Sequence, residues 1–457
     1  MIKRKLAGIF LATTMIMGTL AGCGDSGNSS TAAKVNTDES AQGKVLNIYC
    51  WNTEFQDRFK YFEKSGKVPS DVKVKFVVTT NENNAYQNAL DAALLKQNDA
   101  PADEKIDIFL VEADYALKYV NSDYTLDVIN DIGLTKDDVA DQYQYTKDIV
   151  TDSNGNQKGT TWQATPGLFA YRRSKAKDVL GTDDPDKVQE ALSTWDKFNA
   201  VAEKAAAKGY KMLSGYDDSY RVFSNNVSAP WVDSNNKIVI DPNIMKWVDQ
   251  TKTFTDKGYN NKTSLWDTTW ASDQGPKGKV FGFFYSTWGI NFTLLGNSLE
   301  KPVAEGGKEE VGNGIYGDYA VCQGPQSYYW GGTWLCAAAG TDNPNLIKEI
   351  MKTLTCDKTT EVQITKDTQD YTNTISGMNE LANSDFKSDF LGGQNHIKLF
   401  AQAAPKINMK NISAYDQGLN EEFQKAMKDY FDGHVTKEQA LDNFYDKAHV
   451  KYPNLSK

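Results

Sequence analysis

Four stretches of this 457-residue chain, holding five tryptophans, place flat aromatic faces beside hydrogen-bonding groups or close-approach glycines. Trp51 is followed by Asn52 and Glu54, and Trp162 adjoins Gln163. Trp288 closes the apolar run 280–285, and Trp330 and Trp334 flank Gly331-Gly332. Carboxylates occupy comparable places. Glu112 and Asp114 follow the apolar run 106–111, and Asp217 and Asp218, with Tyr220 and Arg221, follow Met212-Leu213. Such a set suits a pyranose ring, whose C–H face is apolar while its hydroxyl edge demands oriented hydrogen bonds. A carboxylate accepts two hydroxyls at once, and paired glycines allow a ring to approach the backbone. The competing use of an indole is core packing, to which Trp195 and Trp247 are assigned because they sit in helical patterns. Trp231, Trp266 and Trp270 are left unassigned. The acids have a plainer alternative as solvated loop residues or helix caps.

Other chemistries lack their parts. Gly24-Asp25-Ser26-Gly27 imitates the nucleophile segment of a serine protease, but it has no strand context and all three histidines, at 396, 434 and 449, fall far along the chain. Residues 312–317 match a GxGxxG pattern, yet they lead into an apolar strand-like run rather than a helix, so no phosphate cradle forms. Residues 152–159 lack the glycine and the final bidentate acid of a calcium loop, and Asn154-Gly155 reads as a hairpin turn. No zinc spacing exists, and no cofactor is expected.

These side chains need elements to position them. Runs at 45–49, 72–78 and 106–111 read as strands, with a helix at 85–95 whose apolar stripe includes Tyr86, Leu90 and Leu94. Alternating strands and helices give an α/β wind with a largely parallel sheet, in which ligands bind beyond the carboxyl ends of strands. Thr194 caps a further helix ending near Gly209, Pro344 starts another, and Leu419, Phe423, Met427 and Phe431 mark a third. Thr436 and Gln439 form a capping box.

Composition bounds the rest. A formal charge of -10 lacks the clustered cations that nucleic acid requires. The length predicts two domains. Lys3-Arg4-Lys5 and the apolar run that follows read as a signal peptide over residues 1–22, and Leu20-Ala21-Gly22-Cys23 resembles the lipobox of bacterial lipoproteins. That resemblance implies an acylated Cys23 at the outer face of the cytoplasmic membrane. Residues 23–43, rich in Gly, Ser, Asn, Thr and Ala, then read as a disordered tether. Of the remaining cysteines, Cys322 and Cys336 are the most plausible bridge, although buried free thiols are favoured for Cys50, Cys322, Cys336 and Cys356.

Taken in order, the lipobox, Val45 to Asn52, the segment from Asn154-Gly155 through Trp162-Gln163 to Arg173, Gly278 to Gly289, and Gly331-Gly332 resemble the extracellular solute-binding proteins of carbohydrate ABC transporters. The resemblance spans essentially the whole chain. It implies an α/β, two-lobed periplasmic-binding-protein-like fold with an interlobe ligand cleft and crossing hinge strands. Residues 44–164 and 331–375 would form the first lobe, and 165–330 and 376–457 the second. It also implies an oligosaccharide ligand, a membrane permease as partner, a monomer, and no catalysis. Carried over by position, the ligand-binding residues are Trp51, Asn52, Glu54, Glu112, Asp114, Trp162, Gln163, Asp218, Tyr220, Trp288, Trp330, Gly332 and Trp334. Glu112-Ala113-Asp114, where the maltose-binding pattern has an aromatic before an acid, and Arg172-Arg173 leave the sugar unidentified. Two alternatives stand beside this expectation: a binding protein for a non-sugar solute, and an extracellular glycosidase using Glu112 or Asp218 as acid and nucleophile.

Overall fold

Alternation of apolar residues in the first three strands decides how the chain starts to fold. In this computed structural model, which describes residues 35–457, β1 (Val45–Cys50), β2 (Lys73–Val78) and β3 (Ile108–Glu112) pair in parallel, in the order β2-β1-β3. Successive side chains of a strand point to opposite faces. Ile108 and Leu110 therefore join the core beneath helices Glu54–Lys64 and Pro344–Thr355, while Phe109 and Val111 pack against helix Ala85–Leu94. Each large apolar side chain so buried contributes roughly 1.5–3 kcal/mol.

The sheet is completed by later segments. β8 (Thr333–Ala337) runs antiparallel to β3 and to the short β4 (Thr160–Thr161), giving β2-β1-β3-β8-β4. A second sheet, β6-β5-β7, consists of β5 (Gly167–Arg172), β6 (Gly282–Ser286) and β7 (Tyr319–Cys322), all antiparallel. The parallel wind expected from the sequence thus holds in the first three strands and not in the second sheet. β6 and β7 return beside β5 only after long intervening segments and run opposite to it, chain directions that a simple strand-helix-strand wind does not give.

The chain crosses from the first sheet to the second between β4 and β5 and returns between β7 and β8. Pro166 bridges Tyr329 there, and the Gly167 N–H donates to the Tyr328 carbonyl at 2.7 Å. A third strand of chain joins them, since Gln163 bridges Thr372. A separate helical core unites Trp247 of helix Pro242–Asp256 with Leu419 and Phe423 of Asp416–Phe431 and Phe444 of Lys437–Lys451. The capping box at Thr436 and Gln439 and the Thr194 cap both form.

Met1–Lys34, including the leader, Cys23 and most of the expected tether, lies outside the described residues. The last tether residues are held in place, because the Gly43 N–H donates to the Asp342 carbonyl at 2.7 Å and Asn345 donates to the Thr37 carbonyl. Ordered structure therefore begins before Lys44. Cys50, Cys322 and Cys336 are buried free thiols, and Cys356 is a half-buried one. No helix among the described residues is long and apolar enough to cross a membrane.

Candidate functional site

A cleft of about 700 Å³ opens beyond the carboxyl ends of β1 and β3. Trp51, at the end of β1, stands edge-on to Tyr86 (5.5 Å) and Tyr115 (6.5 Å), which fixes its plane. The Asn52 carboxamide oxygen accepts the Glu54 N–H and so starts helix Glu54–Lys64. Glu54 accepts from Arg58 at 3.3 Å and from the Gln163 side chain at 2.9 Å. Gln163 also donates to Asp370 and accepts the Thr333 N–H, which ties two crossing segments to the floor.

Glu112 ends β3, and one of its oxygens accepts the Asp114 N–H at 2.9 Å. Burial, reinforced by the Asp114 charge, pushes the Glu112 carboxyl up to about 8, and burial pushes Glu54 to about 7. Asp114 makes a bidentate ion pair with Arg221 from helix Tyr220–Ser224, on the second-sheet side. Beside it Gln87 donates to Gln417 at 3.2 Å.

The opposite wall is aromatic. Trp288 follows β6, and its indole N–H donates to the Trp330 carbonyl at 3.0 Å. Trp266 lies parallel to Trp288, with ring centroids 6.1 Å apart. Thr287 and Asn291 present a hydroxyl and an amide nitrogen that are buried without a partner, as is the Tyr115 hydroxyl on the first wall. Buried groups of this kind cost free energy unless something pairs with them.

Of the residues expected at the site, Trp51, Asn52, Glu54, Glu112, Asp114, Gln163, Trp288, Trp330 and Gly332 line this cleft. Trp162, Asp218, Tyr220 and Trp334 do not. The two-residue period turns Trp162 into the core, stacked on Phe55 at 5.4 Å, and so sends Gln163 to the cleft. On β8 it buries Trp334, whose indole donates to the Thr146 carbonyl, and leaves Thr333 at the cleft. The Asp218 carboxylate knits a turn, accepting the Ser214 and Gly215 N–H groups and the Trp270 indole. Tyr220 is buried edge-on against Trp247 with its hydroxyl on Asn420. The space at the two glycines serves the protein's own indoles: a Cβ on Gly331 would sit 3.1 Å from Trp288, and one on Gly332, at φ +108°, 2.9 Å from Trp334.

Sequence reasoning missed Arg58, Tyr115, Trp266, Asn291, Phe292, Asp370, Gln417 and Glu421, all of which line the cleft. Gln417 and Glu421, four residues apart on helix Asp416–Phe431, form a polar stripe legible from helical spacing, but spacing does not say that the stripe faces a cleft rather than open solvent. Trp231 and Trp270 are buried. No group of three or more His, Cys, Asp or Glu among the described residues is placed to hold a metal ion.

Two α/β lobes joined by crossing segments around a cleft define a two-lobed binding protein. Residues 57–390 match the profile of the bacterial extracellular solute-binding proteins, and the chain belongs to that family. Family membership implies a place outside the cytoplasm. No curated protein sequence matches it. Among solved structures it is similar to an extracellular solute-binding protein of family 1 (TM-score 0.72, 16% identity, covering 89% of this chain and 99% of that one). It is also similar to the galacto-N-biose-/lacto-N-biose I-binding protein of an ABC transporter from Bifidobacterium longum, in complex with lacto-N-biose (0.65, 16%, 90% and 97%). A third is maltose-bound MalE3 of T. maritima (0.63, 12%, 89% and 99%). At these identities the likeness is one of fold.

Proposed function

We propose that the protein captures an oligosaccharide in this cleft and delivers it to the membrane permease of an ABC importer, without chemical change to the sugar. One observation carries the reading: an indole wall faces a carboxylate and amide wall across a cavity of about 700 Å³, the two surfaces a pyranose needs. The names of similar structures support it, since lacto-N-biose and maltose are what those proteins hold. Of the thirteen residues carried over by position, the nine that line the cleft are the proposed contacts. The lobes are taken to meet at the crossings near residues 164, 331 and 375, so that a sugar touching both walls favours closure by its greater affinity for the closed form. Acylation of Cys23 would hold the monomeric protein at the outer face of the cytoplasmic membrane, with residues 24–34 as part of the tether.

A glycosidase is the second reading, because a carboxyl raised to about 8, as at Glu112, has the protonation state of a general acid. One experiment separates the readings: calorimetric titration with α-glucan, xylan, mannan and raffinose-type oligosaccharides, followed by analysis of each recovered sugar. Saturable binding with intact sugar is the expected result. Cleavage would establish the enzyme, and absence of binding across the panel would overturn the sugar reading in favour of another solute.

A further inference from the structure

Exposure rises along the aromatic wall. Trp330 is buried and Trp288 half-buried, whereas Trp266 is 57% and Phe292 75% exposed. Singly exposed aromatics are ordinary. These two both line the cleft, and the backbone beneath each is unusual.

Trp266 has φ +72°, the left-handed region that a bulky side chain rarely adopts, and it is the one aromatic residue with positive φ among the described residues. Neighbours maintain that conformation. The Leu265 N–H donates to Asp217, the Ser264 N–H donates to Asp267, and the ring meets Trp270 edge-on at 5.3 Å. Strain kept at a residue more than half exposed is not explained by core packing, and such strain gathers at ligand clamps. Phe292 belongs to the single π-helical turn Ile290–Leu294, a form that recurs at functional sites. The same turn holds Asn291, whose unpartnered amide also lines the cleft.

We infer that Trp266 and Phe292 form an outer subsite that stacks a further unit of the sugar chain whose inner units lie against Trp288 and Trp51. The solute is therefore longer than a disaccharide, with one end resting on the rim. This rests on the sugar reading above and adds a chain-length requirement to it.

The test titrates the full chain, Trp266→Asn, Phe292→Ser and the double variant with α-1,4-gluco-oligosaccharides and β-1,4-xylo-oligosaccharides from dimer to hexamer. Asparagine tolerates the left-handed backbone, so Trp266→Asn should melt at the same temperature as the parent or higher. In the parent, affinity should rise about tenfold or more between the dimer and the longer chains of the series that binds. The double variant should lose most of that rise, its hexamer-to-dimer affinity ratio falling towards one. Equal weakening of dimer and hexamer, or an undiminished rise in the double variant, overturns the outer subsite and leaves the sugar reading standing. A marked drop in melting temperature for Trp266→Asn makes Trp266 a packing residue and overturns its assignment. If the parent binds neither series at any length, the sugar reading for these linkages fails and the subsite fails with it.

Discussion

The two walls of the cleft are built by different means. On the first, Glu54, Glu112, Asp114, Gln163 and Asp370 come from strand ends and crossing segments, and nearly all are tied to one another or to Arg58 and Arg221. On the second, Trp266, Trp288 and Trp330 lie within 6.1 Å of one another, centroid to centroid, while Thr287 and Asn291 carry unpaired polar atoms. The acidic wall is pre-organised by ion pairs and hydrogen bonds that a ligand must join or displace. The indole wall offers area and a few free polar atoms. Changes to the second should therefore be felt mainly in affinity, and changes to the first also in stability and its pH dependence.

The largest effect is expected at Trp288. Its ring faces the cleft, and its N–H holds the Trp330 carbonyl beside Gly331. Trp288→Ala should weaken sugar binding by about 10- to 100-fold, about 1.4–3 kcal/mol, through lost stacking and buried area. Calorimetric titration checks this, and affinity unchanged within twofold would remove the indole from the contact surface. Next is Arg221→Met, which leaves Asp114 half-buried without its cation. Both partners are about one-fifth exposed, so the expected loss in denaturant unfolding is about 1–2 kcal/mol, below the figure for fully buried pairs. The pair joins the two sheets' sides of the cleft, so the same variant should also raise the radius of gyration of the sugar-free protein in solution scattering. An unchanged radius would mean that the pair does not hold the lobes together.

The acidic wall was the more legible of the two in the sequence. Glu112 and Asp114 follow an apolar run whose end is marked, and a residue just past a strand in an α/β sheet is a suspect by position alone. The indoles misled because a strand end gives position but not face. Trp162 and Gln163 are neighbours just past β4, and the alternation of the extended chain there sends one into the core and the other into the cleft. Trp266 had no strand to announce it. It reaches the cleft through a left-handed turn anchored by Asp217, a contact between residues distant in sequence. The antiparallel second sheet was hidden for a similar reason, since β5, β6 and β7 are separated by long helical stretches and apolar runs do not reveal strand direction.

The smallest effect separates the walls most cleanly, because it depends on charge alone. Glu54 and Glu112 are raised to about 7 and about 8 in the folded protein, from an ordinary value of 4.5. Between those limits the folded state binds more protons than the unfolded chain, so their contribution makes stability fall as pH rises from about 4.5 through 8. His396 acts in the opposite sense at the acid end. Burial lowers it from 6.5 to about 4, so in that interval the unfolded chain binds the extra proton and stability rises with pH. The carboxylate signature is therefore clearest between about pH 6.5 and 8, where His396 is neutral in both states. Stability should decline there by roughly 1 kcal/mol, a figure reduced for partial solvent exposure of the two side chains. Glu112→Gln should lessen that decline and unfold at higher denaturant at pH 8, the remainder belonging to Glu54, Asp416 and Glu361, whose carboxyls burial also raises, whereas Trp288→Ala should leave the slope as it is. Parallel slopes in the parent and Glu112→Gln would show that the Glu112 carboxylate is solvated and ionised in the empty cleft, and the first wall would then be no more strained by its charges than the second.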